Sequence, residues 1–79
     1  MIEEKILSIL AEVNNDIVKN KDKDLLALGI IDSFDIVNLV VEFEEAFGIE
    51  IDPGLVIPDN FRTIGAMSEL IKSIVEGKE

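Results

Sequence analysis

Apolar residues recur along this chain at steps of three and four, the spacing that lines one face of an α-helix. Ile2, Ile6, Ile9, Leu10, Val13 and, at the far end, Ile17 form the first series, with Glu3, Glu4, Lys5 and Glu12 between them. Asn14-Asn15-Asp16 predicts where that helix ends, and residues 19–24 read as a solvated loop. Leu25, Leu26, Ala27 and Leu28 are apolar but few, and Gly29 closes them off; they are expected to lay loop side chains onto the core. A second helix should start near Asp32-Ser33, both good capping residues, and run to Phe47, with Gly48 as its stop. Pro53 and Pro58 then limit residues 55–61 to a turn or two of helix. Thr63 is expected to cap a last helix with the face Ile64, Met67, Leu70, Ile71, Ile74 and Val75, ending at Gly77. No stretch shows the alternation of a strand. The pattern predicts an all-α fold in one domain over residues 1–79: a small four-helix bundle, with three main helices plus a short third one. A long loop, about residues 15–31, would join helices one and two, and loops of that length are often functional.

The second helix carries more apolar surface than one core face needs. At about 100° per residue, Ile36, Leu39, Val40, Phe43, Ala46 and Phe47 share a broad face. Phe34, Val37 and Val41 form a separate stripe, bordered by Asp35, Glu42, Glu44 and Glu45. Two fates are open to it. It could pack on the long loop through Ile30 or Leu25, or it could be an exposed apolar strip rimmed by acids, which is a docking surface. Both could hold, with Val37 turned inward while Phe34 and Val41 face out.

Charge narrows the field of partners. The 79 residues hold 17 acids and 7 bases, a formal net charge of −10. Such a surface repels nucleic-acid phosphates and anionic lipid and attracts basic patches. From Asp24 to Phe61 there are nine acids and no lysine or arginine, and this span contains the helix with the extra stripe. No apolar run approaches the roughly 20 residues needed to span a bilayer, and the start lacks the pattern of a secretory signal. No nucleic acid, no membrane insertion and a cytoplasmic location are therefore expected. Cysteine and histidine are both absent, which removes disulfides, common zinc sites and any Ser-His or Cys-His pair. The acids do not take the spacing around a central glycine that an EF-hand loop requires, so no metal site is expected. Nor is an enzyme, since a chain of this size leaves little room for a substrate cleft.

The segment Leu28-Gly29-Ile30-Ile31-Asp32-Ser33-Phe34-Asp35 is the most informative. Taken alone, Ser33 reads as a helix N-cap. It has no histidine to activate it as a nucleophile. As the acceptor of a phosphate ester it is well placed, because free amides and the helix dipole at a helix N-terminus favour anionic oxygen. Asp32-Ser33-Phe34 at the head of a helix resembles the hallmark of the acyl carrier proteins and their relatives, the peptidyl and D-alanyl carrier proteins. The likeness continues through residues 36–47, then Ile49-Glu50-Ile51, and on to Arg62-Thr63-Ile64, covering essentially the whole chain in order. Two residues, Ile30 and Ile31, separate Gly29 from Asp32, and Phe34 follows the serine. In this the chain is more similar to D-alanyl and other stand-alone carriers than to the fatty-acid type. Asn38 also stands where the fatty-acid type commonly carries an acid.

The resemblance implies a carrier of acyl or aminoacyl groups, held as a thioester on a 4'-phosphopantetheine arm attached to Ser33. It would deliver them to enzymes of fatty-acid, polyketide or related biosynthesis, or carry D-alanine for teichoic-acid D-alanylation. The arm would come from coenzyme A through a phosphopantetheinyl transferase, with Asp32 helping to orient that enzyme or its metal ion. Phe34, Asp35, Val37, Val41, Glu42, Glu44 and Glu45 would form the face read by partners: the transferase, an activating ligase, and acyltransferases with basic docking patches. Ile31, Ile57 and Phe61 would shelter arm or cargo, and the protein would act as a monomer. The competing reading is an acidic helical interaction module that is never modified.

Overall fold

The computed structural model describes residues 2–20 and 22–77; Met1, Lys21 of the expected polar loop, Lys78 and Glu79 lie outside them. The described residues are all-helical: α1 (Ile2–Val13), α2 (Asn15–Lys19), α3 (Ser33–Phe47), a 3-10 turn (Pro53–Leu55), α4 (Pro58–Phe61) and α5 (Ile64–Val75). The expected helical bundle is what forms, and the second predicted helix is α3.

The long loop differs from expectation at its start. Asn14 adopts extended backbone and its side chain accepts from the Asp16 amide, so the chain turns and re-enters helix as α2. This turn drops Ile17, which continues the α1 series in sequence, into the core from a different helix. α1 packs against α2, α3 and α5, and α4 packs against α5. Ile6 and Leu10 from α1, Leu39 and Phe43 from α3, Phe61 from α4, and Met67 and Ile71 from α5 are wholly buried.

Two features of the remaining loop fix where α3 begins. The Leu25 amide donates to the Arg62 carbonyl at 2.7 Å, and the Leu25 carbonyl accepts from the amides of Ile30 and Ile31 at 2.9 and 3.3 Å. Gly29 makes the return possible at φ +74°, a backbone region that L side chains rarely adopt. The Asn14 side-chain amide donates to the Ile30 carbonyl at 3.3 Å. Leu25 and Ile31 are both buried, so the loop is pinned at each end by apolar side chains. Leu28, between them, stays exposed, which corrects the expectation that the whole apolar run lies on the core.

Candidate functional site

Directly after buried Ile31 the chain enters α3, and Asp32 is the residue that caps it. Its Oδ1 accepts from the Asp35 amide at 3.0 Å, and Asp35 Oδ2 accepts from the Asp32 amide at 3.1 Å. This reciprocal arrangement is a capping box. Ser33 is therefore the first residue inside the helix and not its cap. Its side chain is exposed and, among the described residues, no hydrogen bond engages its hydroxyl. The amides of Ser33 and Phe34 likewise have no acceptor among the described residues. A free hydroxyl thus sits beside two free amides at the positive end of a helix of 15 residues. The spacing Asp32-x-x-Asp35 signals this box in the sequence, where the two adjacent capping candidates were left unresolved.

The second stripe of α3 faces solvent. Phe34 is 74% exposed, Val37 57% and Val41 46%, so the stripe does not pack on the loop and Val37 does not turn inward. Of the two suggested partners, Leu25 is committed to the core and Ile30 is partly buried against it. Glu42 and Glu45 flank the stripe, exposed and without a basic partner among the described residues. The other two acids have structural commitments. Asp35 is half-buried in the cap, and Glu44 Oε2 accepts from the Ile51 amide at 2.9 Å. The Glu44 contact escapes sequence reading because it bridges seven positions across the Gly48 turn.

The Glu44 bond holds the connector against α3 and leaves an open apolar groove of about 310 Å³. Val37, Val40 and Val41 line one side, and Ile51, Pro53 and Val56 the other. Ile31 and Phe61, expected to shelter an arm or cargo, are instead sealed in the core, where they fill the space between helices. Ile57 is exposed but does not line this groove.

Residues 4–71 match the family described as "Phosphopantetheine attachment site". The chain belongs to that family. The D-alanyl carrier proteins of Bacillus cereus (strain B4264) and Bacillus anthracis (strain CDC 684 / NRRL 3495) are each 54% identical to this carrier over 50 residues. That stretch is 61% of this chain and only 63% of the length of those relatives. No solved structure matches significantly. The carrier's cofactor is 4'-phosphopantetheine, covalently held. The residues present fit such a group: an unbonded hydroxyl can form the ester, and the adjacent free amides suit its phosphate oxygens. Among the described residues no helix is long and apolar enough to cross a membrane.

Proposed function

We propose that Ser33 is the residue that receives the arm and that the cargo is D-alanine, the group named in its relatives. One observation carries the choice of residue: the Ser33 hydroxyl is exposed and, among the described residues, free of hydrogen bonds at the mouth of α3. In the modification, Ser33 Oγ forms the bond to phosphorus, the bond to the adenosine bisphosphate half of coenzyme A breaks, and the hydroxyl proton goes to a base on the transferase. No histidine is available in the carrier to take that proton. Once attached, the arm supplies the thiol on which cargo travels as a thioester. The chain itself would catalyse nothing.

Phe34, Val37 and Val41 would contact partner enzymes, with Glu42 and Glu45 steering basic patches toward them. Asp32 would hold the transferase side of the site. The carrier would act as a monomer in the cytoplasm, serving a phosphopantetheinyl transferase, an adenylating ligase and a D-alanine acceptor pathway such as teichoic-acid D-alanylation.

Intact mass tests both parts. Incubation with a phosphopantetheinyl transferase and coenzyme A should add one phosphopantetheine, and Ser33→Ala should abolish the gain; a gain that survives the substitution removes Ser33 from the role. Loading the holo chain with a D-alanine-activating ligase and ATP should add one alanyl unit. Acceptance of long acyl groups in preference to D-alanine overturns the cargo assignment.

A further inference from the structure

Two neighbouring residues at the head of α3 are both good helix caps, and only one can hold the position. If Ser33 were the cap, the helix would begin one residue later and the Ser33 oxygen would turn inward to accept a first-turn amide. The hydroxyl would then be occupied. In the observed frame the residue three places after the cap is Asp35, which can return a hydrogen bond to the Asp32 amide and does so at 3.1 Å. In the alternative frame that place falls to Ile36, which has no polar atom in its side chain and is buried in the core.

We infer that Asp35 is a positioning residue: through its bond to the Asp32 amide it selects the helix frame that leaves the Ser33 hydroxyl free for modification. Asp35 thus acts through Asp32 and not by offering charge to a partner. The residue is half-buried and its Oδ2 is already committed to that bond, whereas Glu42 and Glu45 further along the helix are exposed. The importance of the frame for modification rests on Ser33 being the attachment residue; the frame itself does not.

The experiment compares wild type with Asp35→Asn, Asp35→Ala and the double variant Asp32→Ala/Asp35→Ala. Asparagine keeps an oxygen acceptor and loses the charge; alanine loses both. NMR of the unmodified full chain reads the frame, since the Cα and Cβ shifts of Ser33 distinguish a residue inside a helix from a cap. Asp35→Asn should leave those shifts helical and keep a modification rate well above that of Asp35→Ala. Asp35→Ala should raise the Ser33-capped population about fivefold, and the double variant should move the shifts most of the way to cap values. The modification rate should fall in the same order. Ser33 shifts that stay helical in the double variant overturn the inference. So does an Asp35→Asn rate as low as that of Asp35→Ala, which would assign Asp35 to direct charge contact with the transferase. A wild-type chain that accepts no arm counts against the Ser33 reading alone, because the shift comparison still decides the frame.

Discussion

α3 and α5 open with the same device and spend it differently. At α5 the capping oxygen is the Thr63 hydroxyl, which accepts from the Ala66 amide at 3.0 Å. At α3 a carboxylate does that work, and the hydroxyl residue stands one place further in, its oxygen unused among the described residues. The outer surfaces diverge as well. Lys72 of α5 lies 3.9 Å from Glu3 of α1, tying two helices together. The outer surface of α3 has bare apolar side chains, and among the described residues no base meets its Glu42 and Glu45. A one-residue offset at the cap and the lack of counter-charges among the described residues set α3 apart from α5, the difference expected if α3 is the helix that partners read.

The contrast is sharpest between phenylalanines. Phe61→Ala, in the core beneath α5, should cost about 3–5 kcal/mol in chemical denaturation. Phe34→Ala should leave stability within about 0.5 kcal/mol while weakening engagement by partner enzymes, read as a raised KM for the transferase. Equal stability losses would mean that Phe34 is structural. Reversing charge at Glu42 and Glu45 to lysine should slow association with a basic partner several-fold at low salt, with the difference closing at high salt. A deficit unchanged by salt would point to lost shape and not lost steering.

Smaller effects separate the two helix mouths. Thr63→Ala should lower stability by ~1 kcal/mol without touching modification, whereas Ser33→Ala should do the reverse. Destabilisation of similar size in both would mean that the Ser33 hydroxyl caps after all. Raising ionic strength should lift the melting temperature by roughly 2–4 °C as the crowded acids are screened. A flat response would show that the crowding is energetically unimportant.

Much of the architecture was legible because helical periodicity and capping residues are local signals. The limits of α3, from the Asp32 cap to left-handed Gly48, and the Thr63 cap of α5 follow from residues within one turn of the boundary. The stripe of Phe34, Val37 and Val41 was also visible, but its fate was not, because that depends on where Leu25 and Ile30 go. Those two are drawn inward by the tie from Leu25 to Arg62 and by the turn at Gly29, contacts between residues far apart in sequence or dependent on backbone chirality. Ile31 and Phe61 were misplaced for the same reason: burial is a property of the assembled bundle. The resemblance alone pointed to Ser33 as the residue for the arm, and the freedom of its hydroxyl among the described residues needed the geometry of the cap.

Arg62 has a wider consequence. Its Nη1 lies 3.4 Å from Asp24, its Nη2 lies 3.6 Å from Asp59, and its carbonyl holds Leu25. Both extremities of the base-free stretch are therefore knotted at a single guanidinium, like the throat of a lariat. Lysine, with one point of charge in place of a two-armed fork, could not tie that knot.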